Sequence, residues 1–301
     1  MSSSARSGLP LPHLALAIAV MAVWGSNFVV IKTALTHLPP LLLACLRYVF
    51  AFFPLAFFVK RPCVSWGNLA AYGALIGVGQ FGLLFIAMRS DITPGLASLV
   101  VQVQVFFTIG LSMRFSGERV AGYQIAALLL AVAGLGIIAT HANGSATPLG
   151  LALVIGAALS WAGGNIVARS AGAVNMLAYV AWASLFAVPP LFVLALAFEG
   201  WPAIEAGIRD ADAITWGAVL WQSIGNTMFG YAAWGWLLAR HPAATVTPMA
   251  LLVPVFGMGS AALLLGEPLQ NWKLGAAALV MSGLAVGLLW PRLAQRIKGA
   301  A

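Results

Sequence analysis

The sequence predicts an all-α integral membrane protein with ten transmembrane helices in two inverted five-helix repeats. Three observations carry that expectation. Of 301 residues, 62% are hydrophobic and 7% are charged, with a mean hydropathy of +0.98, far from the balance of a soluble domain. Ten apolar runs reach the length of about 20 residues that a hydrocarbon core requires. Short motifs also recur in the same order in both halves of the chain. The formal charge of +8 does not point to nucleic acid, because the fifteen Lys and Arg stand singly at the ends of apolar runs, with no basic stripe or reading motif. They read as anchors at a membrane surface, so the expected partners are the lipid bilayer and a small-molecule substrate. Cys45 and Cys63 offer neither a disulfide framework nor a metal-ligand spacing, and no cofactor or metal is expected.

The first span is placed at Leu14 to Ile31. The basic Arg6 before it gives a superficial likeness to a secretory signal, rejected because the apolar stretch runs on without a small-x-small cleavage site and recurs later in the chain. The second, Leu38 to Val59, stops at Lys60-Arg61-Pro62, and the third, Leu69 to Met88, at Arg89-Ser-Asp91. The fourth and fifth are Gly95 to Phe115 and Ala121 to Thr140, closed by His141-Ala-Asn-Gly144. Leu149 to Val167 and Met176 to Phe198 follow, the latter bent by Pro189-Pro190. The one long connection, Glu199 to Asp212, is read as an acidic loop. Ile214 to Leu238 ends at Arg240-His-Pro242. In the ninth span, Ala243 to Leu265, Pro248 and Pro254 free carbonyls and point to a site or hinge. The tenth is Leu274 to Trp290. Gly73, Gly77, Gly283 and Gly287, spaced as G-x-x-x-G, are expected to let helices pack closely.

Counting Lys and Arg on alternate sides puts Arg6, Lys60, Arg61, Arg114, Arg119, Arg169, Arg240, Arg292, Arg296 and Lys298 on the side of both termini. Lys32, Arg89, Arg209 and Lys273 fall on the other, and Arg47 stays inside a span. By the positive-inside rule both termini are cytoplasmic. The halves, residues 1–145 and 146–301, match at several points: Trp24 and Asn27 with Trp161 and Asn165, Phe81-Gly82 with Phe229-Gly230, Val105-Phe106 with Val255-Phe256, Gly117-Glu118 with Gly266-Glu267, and Gly134-Leu135 with Gly283-Leu284. Five spans per half make the repeat inverted, a design that serves alternating access around a site near the bilayer midplane.

Several of these motifs carry a family resemblance. Trp24-Gly-Ser-Asn-Phe28, Leu46-Arg-Tyr48, Gly95-Leu-Ala-Ser-Leu-Val100 with Phe106-Phe107, Gly117-Glu-Arg119, Ser160-Trp-Ala-Gly-Gly-Asn165, and Pro248 to Pro254 running into Ser260-Ala-Ala-Leu-Leu-Leu-Gly-Glu267 resemble the EamA-type exporters of the drug/metabolite transporter superfamily. The likeness is greatest to bacterial amino-acid and amino-acid-metabolite exporters. It implies ten helices in two inverted repeats, an inner-membrane location and efflux of small metabolites. The substrate class stays broad at this level: neutral, sulfur-containing or aromatic amino acids, with purines or cationic drugs as the alternative.

Polar side chains inside spans are costly, so each is a candidate for function. Asn27, Gln80, Gln102, Asn165, Gln222 and Asn226 are the amides expected at a substrate site, able to donate and accept. Trp24, Trp161, Tyr179 and Trp182 are expected to supply apolar walls and cation-π faces. Trp24 with Asn27, Trp161 with Asn165 and Gln222 with Asn226 each share a helix face. The competing reading is that these amides tie helices together at about 1 kcal/mol each. Arg47 is read as snorkelling or bonding to backbone carbonyls rather than binding substrate. Lys32 and Arg169 are read as interface anchors, Glu118 and Glu267 as favourable charges in the first turns of the fifth and tenth helices. An enzyme is not expected. Gly257-Met-Gly-Ser260 has no mid-span Asp beside it, and all four histidines sit at helix ends or in loops, which leaves a nucleophile without its base. A static membrane scaffold is the remaining alternative, and paired polar sites in inverted repeats give it little reason to exist. With no acid inside a span, a facilitator is expected rather than a proton-driven pump.

Overall fold

The computed structural model describes residues 9–116, 122–141, 144–241 and 243–300. Eight helices long and apolar enough to cross a membrane are described, α1 Leu11–Ala34, α3 Trp66–Ser90, α4 Pro94–Arg114, α5 Gly122–His141, α6 Pro148–Ser170, α7 Met176–Glu199, α9 Thr247–Leu265 and α10 Asn271–Ala300, and with the shorter apolar α2 Pro40–Ala56 and the helical stretch α8 over 213–240 they make the ten of the fold. Proline stands in the first turn of α1, α2, α4, α6 and α9, where its missing N–H is no loss and its fixed φ suits the helix. Arg6, Gly117, Glu118, Arg119 and Pro242 lie outside the described residues.

Contacts at the helix ends show how the chain crosses. Lys32 at the end of α1 donates to the carbonyls of Met88 and Arg89 at 3.0 and 2.8 Å, so it closes the C-terminus of α3 rather than acting only as an anchor. Asn68 at the start of α3 donates to Val167 at the end of α6, and His13 at the start of α1 meets His241 just past α8. Each such contact joins two ends that alternate crossing places on the same side. The packing partners also follow the repeat: α1 lies on α9 as α6 lies on α4, and α1 on α8 as α6 on α3, while α2 pairs with α7 and α5 with α10.

Close approach is built in by glycine. A Cβ on Gly73 or Gly77 of α3 would collide with Ala183 and Ala187 of α7, and one on Gly283 of α10 with Ala127 of α5, as the G-x-x-x-G spacing predicts. Gly25 lies against the backbone of Val253 and Gly257 in α9. The space beside Trp24 therefore admits a neighbouring helix.

Regular α-geometry fails in corresponding places of the two halves. Turns of π-helix occupy Gly73–Gly82 in α3 and Trp221–Phe229 in α8, and 3-10 turns occupy Val101–Val103 in α4 and Thr247–Leu251 in α9. Such irregular turns expose backbone carbonyls and mark functional segments. Pro248 falls in the last of them, as expected of a helix-breaking residue.

Two sequence readings need correction. The segment after α7 is not a loop: Trp201–Asp210 is a helix, begun by Gly200 at φ +80° and held by a buried Ile204. Glu267 does not lie in the first turn of α10, which starts at Asn271. Its carboxylate instead accepts from the Gly95 N–H at 2.9 Å, from the Thr93 hydroxyl and from Lys273 Nζ at 3.0 Å, capping α4. Glu199 does the same for α2, accepting from the N–H groups of Leu41 and Leu42 at 2.6 and 3.1 Å. Asp212 caps α8 through the Thr215 N–H at 2.8 Å, and that bond holds its carboxyl below the usual range.

Lys273 and Glu267 are 1% and 9% exposed, so removing one strands the other. Glu267→Ala is expected to cost about 3–5 kcal/mol, seen as a lowered Tm in detergent. Lys273→Met added to it should restore part of the loss; a further drop equal to that of Lys273→Met alone would show that the two groups are not coupled.

Candidate functional site

A polar cluster sits where the two halves meet. Arg47, in the second turn of α2 and about 10 Å along that helix, is 1% exposed. Its guanidinium donates to Gln222 Oε1 at 2.8 Å and to Thr227 Oγ1 at 3.2 Å, and lies 3.7 Å from the centroid of the Phe81 ring. Gln222 Nε2 donates to Asn27 Oδ1 at 2.8 Å, and Asn27 Nδ2 returns a longer bond at 3.3 Å. Arginine can only donate, so the oxygen of Gln222 must face it, which fixes the amide orientation across the network. Ser223 Oγ donates to the Arg47 carbonyl at 2.9 Å. These bonds fasten α1 and α2 of the first half to the π-turn of α8 in the second.

Arg47, Tyr48, Tyr72, Phe81, Ser184 and Tyr231 line a cavity of about 10 Å³ at this junction, large enough for a single water. Its walls come from α2 and α3 and from their repeat partners α7 and α8. Arg47 Nε and the Tyr48 hydroxyl are buried without a hydrogen-bond partner. A buried donor left unmade costs about 1–3 kcal/mol, and a charged arginine near the bilayer centre costs about 2.5 kcal/mol or more before any compensation. Bonds to neutral acceptors and a ring face offset part of that cost. A larger groove of about 440 Å³, lined by Val103, Phe107, Leu128, Leu135, Ile155 and other apolar residues of α4 to α6, carries no polar chemistry.

The sequence-predicted residues divide into groups. Asn27 and Gln222 form the core of the cluster. Trp24 adjoins it, donating Nε1 to the Asn226 carbonyl at 3.1 Å and packing near Tyr231 and Trp234; the Asn226 side chain is buried. Gln80 is buried in the π-turn of α3, one residue before Phe81. Gln102 donates at 3.4 Å to the Ala250 carbonyl, joining the two 3-10 turns. Asn165 bonds to Gln104 and Thr108 of α4 at 3.1 and 3.2 Å, so the two asparagines are not hydrogen-bonded to each other. Trp161 packs against the core. Tyr179 donates to Asn68 Oδ1 at 2.6 Å and Trp182 to the Val59 carbonyl at 3.0 Å, tying helices near the end that carries both termini.

Arg47, Tyr48 and Thr227 were not among the expected site residues. Arg47 neither snorkels nor spends its guanidinium on backbone carbonyls. The signal was present, because a charge within a span faces the protein interior by default. Among the described residues no group of three or more His, Cys, Asp or Glu could hold a metal.

The EamA-like transporter family model matches residues 11–140 and 148–289, once in each half. Relatives named "probable amino-acid metabolite efflux pump" are 41% identical, one from Salmonella typhimurium over 279 residues (91% of this chain, 93% of the relative) and one from Escherichia coli K12 over 284 residues (91% and 95%). A "probable terminal-alkyne amino-acid exporter" of Streptantibioticus cattleyicolor is 26% identical over 279 residues (89% and 90%). A crystal structure 20% identical superposes with a TM-score of 0.63, covering 95% of this chain and 98% of that one, a likeness of fold. The chain is therefore a multi-pass membrane transporter and not an enzyme, and it belongs to the EamA-like transporter family.

Proposed function

We propose that this protein exports amino acids and related small metabolites across the bacterial inner membrane, with both termini in the cytoplasm. The five-helix halves, residues 1–145 and 146–301, rock about the central cluster to give alternating access. The observation that carries this reading is the buried network of Asn27, Arg47, Gln222 and Thr227 at the junction of the halves. Such polar groups are expensive in a membrane and mark the path of a polar solute. The names of the relatives support the substrate class. Asn27 and Gln222 address the polar end of the substrate, and Trp24 and Tyr231 wall its apolar part. Asn165 and Trp161 serve the same path from the α4 side.

Flux of labelled amino acids and their derivatives into proteoliposomes tests the reading. Asn27→Ala and Gln222→Ala are each expected to lower transport about tenfold, as loss of one bond worth about 1.4 kcal/mol would, while the folded protein is retained by size-exclusion chromatography. Wild-type rates in both variants would move the site elsewhere. Asn165→Ala should reduce transport less, since its partners are on α4 rather than in the central network.

Orientation is checked separately, with single cysteines in a Cys45→Ser, Cys63→Ser background. Cysteine at position 299 should react with an impermeant maleimide only in inverted vesicles, and cysteine at position 205 only in intact cells. The reverse pattern would overturn cytoplasmic termini.

A further inference from the structure

We propose that the substrate crosses as a net anion, its carboxylate held by Arg47 and Tyr48, and that its own charge lets the membrane potential drive export. This rests on the transport reading above and narrows the substrate to amino-acid metabolites whose amine is uncharged, as in N-acylated amino acids.

The charge of the site is the starting point. Among the described residues the ion pairs are Arg209 with Asp210 and Lys273 with Glu267, so Arg47 has no anionic partner. Its acceptors, Gln222 and Thr227, are neutral, and no Asp or Glu lines the cavity. Two buried polar atoms that face no partner, Arg47 Nε and Tyr48 Oη, belong to side chains that line the same cavity. Each can donate to a carboxylate oxygen, and the cavity of about 10 Å³ that they line admits that group only as the halves move apart.

The same absence of acid discriminates between substrates. A zwitterion brings a carboxylate and an ammonium, leaving the site as positive as before; a carboxylate with a neutral amine cancels the Arg47 charge. In a water-poor interior that difference favours the anion. The Phe81 face in the cavity is already covered by the guanidinium at 3.7 Å.

The surface charge agrees. Asp91, Glu199, Glu205, Asp210, Asp212 and Glu267 all lie on the side opposite the termini. The termini side carries Lys60, Arg61, Arg114, Arg169 and Arg240 and, among the described residues, no acid. A basic mouth concentrates anions before they enter. Over a complete cycle the protein's own charges return to their starting positions, so in the absence of a coupled ion the charge moved is that of the substrate. An anion leaving a negative-inside cell then needs no coupling ion, in keeping with the described acids all standing at span ends or between spans.

The test uses full-length protein in liposomes with a potassium diffusion potential set by valinomycin. The probes are labelled N-acetyl and free forms of the same amino acids, alanine, methionine and phenylalanine. The expected result is at least tenfold faster uptake of an acetylated form, accumulating about tenfold per 59 mV of inside-positive potential. Arg47→Gln should abolish that uptake, and Arg47→Lys should retain the preference for the anion at a reduced rate. Uptake of free amino acids that ignores the potential, with no uptake of the acetylated forms, overturns the proposal and leaves the transport reading intact. Uptake of acetylated forms without dependence on potential overturns the electrogenic step. No protein-dependent flux of any probe overturns the transport reading and the proposal together. The wild-type result decides the matter even if the Arg47 variants fail to fold.

Discussion

In a lipid core no water is available to satisfy backbone polar groups, and this constraint organises the molecule. Helix interiors meet it by themselves, but helix ends do not, and several ends are closed by devices that suit their place. Proline in the first turn of five spanning helices removes a donor that had no acceptor. Where the chain reverses tightly, a carboxylate from another segment supplies the cap: Glu199 for α2 and Glu267 for α4. At the opposite polarity, Lys32 covers the open carbonyls of α3. The few charges on the side away from the termini thus serve as caps more than as surface decoration.

The inverted repeat multiplies this arrangement and then departs from it. π-turns in α3 and α8 and 3-10 turns in α4 and α9 are repeated features of the backbone, so the irregular segments belong to the design of each half. Side chains break the equivalence. Asn27 bonds to α8, whereas Asn165 bonds to α4, although a strict repeat would send Asn165 to α3. Arg47 stands in α2 with the hydroxyl of Ser184 across the cavity on α7, the repeat partner of α2. The halves share a backbone plan, and the chemistry at their junction is asymmetric.

Much of this was legible in the chain. Span positions agree with the helices to within a few residues at most ends, because a run of about 20 apolar residues has few alternatives in a membrane. Gly73 and Gly77 were legible as contact points because spacing alone sets a shared face. The helix Trp201–Asp210 was missed, although Trp201, Ile204 and Ile208 recur at helical spacing; acidic residues beside Gly200 suggested a loop. Capping by Glu267 was invisible because its partner lies far away in sequence, on α4, and proximity in the chain favoured α10. Arg47 departs from its sequence expectation for a related reason. Snorkelling is a property of one helix and can be read from its sequence, whereas acceptance by Gln222 and Thr227 depends on how α8 is turned toward α2.

That turning is itself a consequence of the π-geometry. In a regular α-helix Gln222, Ser223 and Thr227 would project at spacings that cannot all face α2, since 222 to 227 spans about one and two-fifths turns. With the wider π-turn, residues five apart come nearly into line, and Thr227 Oγ1 bonds the Gln222 carbonyl at 2.9 Å while both side chains accept from the same guanidinium. Gln222 Oε1 also receives Asn27, so a single oxygen links α1, α2 and α8. Any group that takes Arg47 away from that oxygen changes what joins the two halves, which makes occupancy of the site and the packing between halves parts of one equilibrium.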